Sequence, residues 1–134
     1  MKCVIILDEA LPVGLLANTA AALGLSLGNH VSGLIGPDVA DADGHLHKGV
    51  TAVPIPILAT NSETLKNMSQ LVLNDHKELM AIGFSKTAQQ CNSYELYIKQ
   101  VAKLSSSDLE YLGLCIYGPK QRINQLCGQM KLLR

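Results

Sequence analysis

The chain has 134 residues, with 11 Lys and Arg against 11 Asp and Glu. That length suits one domain over residues 1–134, with a core large enough to do without disulfides or metal. Zero net charge gives no long-range attraction for nucleic acid or an anionic membrane, so neither is expected as a partner.

Lys2 to Asp8 reads as the first strand, because the run CVIIL is apolar without alternation, as in a strand covered on both faces. Pro12 pushes Leu11 toward extended geometry, so a helix starts at or after Pro12. That helix is expected over about Leu15 to Leu27, with Gly28 and Asn29 as its stop. It is apolar nearly all round and must be buried, flat against a sheet. Gly24, Gly28 and the run Ala20 to Ala22 make one side thin, which suits close packing on a strand or a second subunit.

Val31 to Gly49 is punctuated by glycine and proline and reads as a loop with short extended pieces. Val50 to Ala59 is the second strand, expected at a sheet edge because Pro54 and Pro56 cannot donate ladder hydrogen bonds. Thr60 with Glu63 is a capping-box pattern for a helix reaching about Asp75. Leu79 to Phe84 is a third strand, and Lys86 to Asn92 a loop or irregular turn. Asn92 with Glu95 caps a helix whose stripe is Tyr94, Tyr97, Ile98 and Val101. After the turn Ser105 to Asp108, Tyr111 to Tyr117 is a fourth strand. Pro119 opens a short helix ending at Gly128, and MKLL adds a last short strand. Strands alternating with helices indicate a three-layer α/β/α sandwich on a mixed sheet of four to five strands.

Two stretches resemble a known family. LDEALPVGLLANTAAALG resembles the opening of type II peptidyl-tRNA hydrolases, and YLGLCIYGPKQRINQLCGQMKLL their last strand, Gly-Pro turn, short helix and tail. The match is closer still to an uncharacterised domain-of-unknown-function family grouped with those hydrolases. The resemblance implies a peptidyl-tRNA hydrolase II-like fold and a homodimer. The hydrolases carry a Lys, a Gln and a His on the first helix, and those positions fall near Ala17, Ala21 and Gly24 here. Their acidic residue before a Thr-containing loop falls near Gly83, and only Thr87 matches in type. Without a positioned base, peptidyl-tRNA hydrolysis by that route is not expected.

A crevice is expected at the carboxyl end of the first strand, by the rule for open α/β sheets. Asp8 and Glu9 stand there, Gly14 suits the loop feeding the helix, and Asn18 and Thr19 are the polar residues of its first two turns. Asn18 and Thr19 either face the crevice or bond the preceding turn. Thr87 and Gln89 reach the same end if the third strand runs parallel to the first; otherwise they brace their loop. Gly118, Pro119 and Lys120 could set a helix N-terminus beside an anion, or simply turn the chain, with Asn124 one turn on.

DADG resembles part of a calcium loop, but with Gly44 in the glycine slot the end ligands would be Val39 and Val50, which cannot coordinate. His45 and His47 could share a strand face and pair with an Asp on a transition metal, though solvated loop histidines are the plainer reading and no metal is expected. His30 and His76 suit helix C-terminal ends. No phosphate-loop, Rossmann or nucleophile-elbow motif is present, so no cofactor is expected. Cys3, Cys91, Cys115 and Cys127 form no C-x-x-C pair and read as free buried thiols in a reducing compartment. The uncharged run Ala10 to Gly28 is diluted by Pro12, Gly14, Asn18 and Thr19, so a soluble cytoplasmic protein is expected rather than a membrane span. The basic end, with Lys120, Arg122, Lys131 and Arg134, reads as a solvated surface.

The expected function is binding of a small ligand or protein partner in the cleft at the end of the first strand. The alternative is a diverged enzyme of unknown substrate using Asp8 or Glu9 with Asn18, Thr19 and Thr87. Residual peptidyl-tRNA hydrolysis is the third reading.

Overall fold

A computed structural model describes residues 1–75 and 77–134, with the backbone alone for 73–75. His76, expected at a helix end, lies outside the described residues. The elements are β1 (Lys2–Asp8), α1 (Val13–His30), β2 (Val39–Ala40), β3 (Leu46–His47), β4 (Ile57–Thr60), α2 (Ser62–Asp75), β5 (Met80–Ser85), α3 (Lys86–Gln90), α4 (Tyr94–Val101), β6 (Tyr111–Gly118), α5 (Lys120–Cys127) and β7 (Lys131–Leu132).

Five strands form one mixed sheet in the order β5-β6-β1-β4-β7, and β2-β3 is a separate hairpin. β4 runs parallel to β1, while β6 runs antiparallel to both β1 and β5. β5 is therefore parallel to β1. Leu7 and Phe84 both face Gly113 in register, so the carboxyl ends of β1 and β5 lie at one end of the sheet.

Helices cover both faces. Val4, Ile6, Leu114 and Ile116 meet Leu65, Met68 and Val72 of α2 and Ile123 and Cys127 of α5. Cys3, Ile5, Leu7 and Cys115 meet Leu23 and Leu27 of α1, with Leu34 from the following loop. Alternate residues of β1 thus serve two cores, which is why CVIIL has no polar face. Burying each of Leu23 and Leu27 stabilises by roughly 1.5–3 kcal/mol relative to exposure.

α1 lies on the sheet as expected, but its thin side does not. The sheet-facing stripe is Leu16, Thr19, Ala20, Leu23 and Leu27. Gly14, Ala17, Asn18, Ala21, Leu25 and Gly28 are exposed, and a Cβ built at Gly14, Gly24 or Gly28 would meet nothing within 4 Å. Gly14 is thus the second residue of α1 rather than part of a tight loop. Gly28 and Asn29 do not stop the helix either. It continues to His30, whose ring Nδ1 bonds the Ser26 carbonyl at 2.8 Å, and the left-handed turn falls at Gly33, with φ +84.

The proline run is not an edge strand. β4 begins only after Pro56 and lies between β1 and β7, so neither proline leaves a gap in its ladder. Pro56 instead gives its carbonyl to Ile5 N at 2.9 Å. Both capping signals shift by one residue. Asn61 Oδ1 accepts from Thr64 N at 2.7 Å, and Ser93 Oγ from Leu96 N at 3.1 Å. Residues 86–90 form α3 rather than a loop, because Ser85 Oγ caps them by accepting from Ala88 N. No helix among the described residues is long and apolar enough to cross a membrane.

Candidate functional site

Strand alternation decides where the expected acids point. Leu7 belongs to the α1 core, so Asp8 turns to the opposite face. There it lines a groove with Ser62, Glu63, Lys66 and Glu110, while its Oδ1 accepts from Ala10 N at 3.0 Å. Glu9 pairs with Lys131 at 3.0 Å. Asn18 is exposed on the outer face of α1, and Thr19 is 0% exposed beneath it. Asp8, Glu9, Asn18 and Thr19 therefore do not gather into one constellation.

Thr19 sits over Gly113 of β6, and its Oγ1 is buried without a hydrogen-bond partner among the described residues. An unmade bond of this kind costs about 1–3 kcal/mol. Thr19→Val is accordingly expected to raise stability by about 1 kcal/mol or more, read by urea denaturation. A loss of stability would mean that the hydroxyl has a partner.

A cleft of about 340 Å³ opens on the α1 face beside the edge strand β5. Ala22, Leu23 and Ser26 of α1 form one wall. Ile82, Gly83 and Phe84 of β5 form the floor, and Ala88, Cys91, Asn92, Ser93, Tyr94 and Tyr97 the other wall. Ala88 is the residue of α3 that lines the cleft, followed by Cys91 at the C-cap, while Thr87 and Gln89 do not line it. Thr87 and Gln89 do lie at the expected end of the sheet. Thr87 is half-buried and its carbonyl accepts from Cys91 N, whereas Gln89 is exposed.

None of the residues lining the cleft is a carboxylate, an imidazole or an amine. Tyr94 and Tyr97 meet edge to face, with ring centroids 5.3 Å apart at 74°. Burial, followed by the neighbouring Tyr94 and Cys91, pushes the Tyr97 hydroxyl above the usual phenol range, so it remains a proton donor. Cys91 is half-buried, whereas the other three thiols are buried. Burial pushes Cys115 up to about 12 and Cys127 to about 11, which leaves both as unreactive thiols at neutral pH.

Gly118, Pro119 and Lys120 lie at the opposite end of the sheet, since Gly118 is in register with Lys2. A methyl at Gly118 would overlap Leu79 Cδ2, so this glycine serves packing on the 78–79 segment. Pro119 caps α5, and its carbonyl accepts from Ile123 N at 3.1 Å. Lys120 is exposed and borders a second cleft, about 380 Å³, with Lys2, Cys3, Pro54, Pro56 and Tyr117. Asn124 accepts from Lys2 Nζ at 2.7 Å.

The aromatic wall was hidden in the sequence. Tyr94, Tyr97, Ile98 and Val101 read as a helical stripe, yet α4 has no buried residue and Ile98 is 58% exposed. The usable signal was Ser85, whose side chain caps the short helix that follows by accepting from Ala88 N.

A mixed five-stranded sheet flanked by helices, carrying a cleft lined mainly by apolar and aromatic side chains, defines this as an α/β protein. Residues 1–134 match the family described as "Protein of unknown function (DUF2000)", and the chain belongs to that family. The solved structure of Atu0240, a protein of unknown function from Agrobacterium tumefaciens strain C58, has the same fold. It aligns with a TM-score of 0.89 at 18% identity, over 99% of this chain and 97% of that one. No curated protein matches. Both descriptions support the unknown-function family, and neither mentions the hydrolases that the two end stretches resemble.

Proposed function

We propose that the chain is a binding protein whose cleft between α1, β5 and α3–α4 takes a small, largely apolar molecule. The observation that carries this reading is the lining itself. Leu23, Ile82, Phe84 and the two tyrosines supply apolar and aromatic surface, while Ser26, Asn92 and Ser93 supply a few hydrogen-bonding groups. Pockets of this size and make-up favour ligands with an apolar body and one or two polar handles. The alternative enzyme, built on Asp8 or Glu9 with Asn18, Thr19 and Thr87, draws no support from side chains spread over two faces of the sheet. Descent from a peptidyl-tRNA hydrolase ancestor remains compatible with this reading. The resemblance puts those enzymes' proton-moving groups near Ala17, Ala21 and Gly24, so no release of peptide from peptidyl-tRNA is expected. The four free thiols favour a reducing compartment such as the cytoplasm.

Neutral aromatic amides provide the test. Fragments that bind should shift the backbone amide signals of Ala22, Gly83, Ala88 and Tyr97 and slow the alkylation of Cys91. Ala22→Leu, which fills the cleft from α1, should abolish both effects. Fragments that perturb only the surroundings of Lys2, Tyr117 and Lys120 would move the function to the other end of the sheet.

The homodimer also belongs to this reading. The outer face of α1 is uncharged and shows Gly14, Ala17, Ala21 and Leu25 to solvent, with Leu25 80% exposed. Small side chains on that face let a second backbone come close. Light scattering should give twice the chain mass, and Leu25→Glu should return it to the monomer. A monomeric wild type would remove this part of the proposal.

A further inference from the structure

We propose that the tip of the β2–β3 hairpin is a site for a divalent transition-metal ion, formed where the side chains of Asp41, Asp43 and His45 converge, with His47 beside them on the Asp41 carboxylate. The sequence alone gives two histidines at alternate positions beside acids. The fold adds the convergence. Asp41 leaves β2, and the turn brings it back against β3, where its Oδ2 lies 2.8 Å from His47 Nε2 and 3.9 Å from His45 Nδ1. Asp41, Asp43 and His45 each offer a ligand atom, and all of these lie within 4.8 Å of one another.

The carboxylate is held for this position. Asp41 Oδ1 accepts from the backbone N–H of Asp43 and of His45, both at 3.0 Å, which leaves Oδ2 turned toward the two rings. Backbone bonds Asp41 N to His45 O at 2.9 Å and Gly44 N to Asp41 O at 3.0 Å fix the turn, with Gly44 at φ +82. Support of a ligand's second oxygen by fixed donors is what orients metal-binding carboxylates. The nearby cation is engaged elsewhere, since Lys48 Nζ lies 3.5 Å from Asp38 Oδ2.

The donor set selects the ion. Two imidazoles with carboxylates suit zinc, cobalt, nickel or copper, whereas calcium and magnesium want oxygen throughout. His45 and His47 side chains are 81% and 62% exposed, so the ion would keep water among its ligands. The ladder between β2 and β3 has only two residue pairs, and a hairpin of that length is marginal alone. An ion that joins its two arms would stiffen it.

Cobalt titrated into the untagged chain tests the site by calorimetry and visible absorption, with zinc as competitor. One ion per chain is expected, displaced by zinc. The double variant His45→Gln/His47→Gln should weaken binding by roughly tenfold or more, and Asp41→Asn should weaken it too. His30→Gln should leave it unchanged. The ring signals of His45 and His47 in the unaltered chain should move with zinc while those of His30 stay put, so the result does not depend on any variant folding. Absence of a cobalt isotherm, or binding that survives the double variant, would overturn the proposal.

Discussion

In the monomeric chain, Leu27→Ala is expected to lower stability by about 2–5 kcal/mol, while Leu25→Ala changes it by no more than about 0.5 kcal/mol. The two leucines are two residues apart on α1, with 1% and 80% exposure. Leu27 is wedged into the core with Cys3, Ile5 and Cys115, so its truncation leaves a cavity as well as losing transfer energy. Leu25 leaves nothing behind. Urea midpoints at equal slope measure the difference. Similar losses at both positions would mean that α1 is rotated from the placement described.

Gly113→Ala should cost about 1–3 kcal/mol, and a valine there more. An added Cβ at Gly113 would come within 2.7 Å of Leu7 Cδ2 and of Thr19 Cγ2 and 3.0 Å of Leu23 Cδ1. All three neighbours are buried core side chains, so no flexible surface group can swing aside. The absence of a side chain at this one point of β6 lets α1 lie close on the sheet. A thermal melt of the variant measures the cost; an unchanged midpoint would show that the helix has room to lift.

The fold was largely legible in the residues and the cleft was not. CVIIL could only be a strand buried on both faces, and β1 has the bounds read from it. The prolines misled because a missing donor marks an edge only inside a ladder, and Pro54 and Pro56 both precede β4. Asp8 misled for a different reason. Its place at the strand end is right, but its face follows from Leu7 turning toward α1, and the first strand's continuous apolar run gives no alternation from which to read that. For Thr87 and Gln89 the expectation fixed the correct end of the sheet, and the formation of α3 then turned Ala88 and Cys91 inward instead. Tyr94 and Tyr97 carry the pattern of a helical stripe, and helical periodicity cannot distinguish a core from the wall of a cleft.

Stability is distributed unevenly over this architecture. β1 and β6 lie inside the sheet and are covered on both sides, so their amides are shielded until the whole chain opens. α4 anchors no buried residue and can detach in a local excursion of small cost. Because α4 carries Tyr94 and Tyr97, a lightly secured element is also part of a wall of the cleft. The sheet can therefore stay intact while that wall moves away from it.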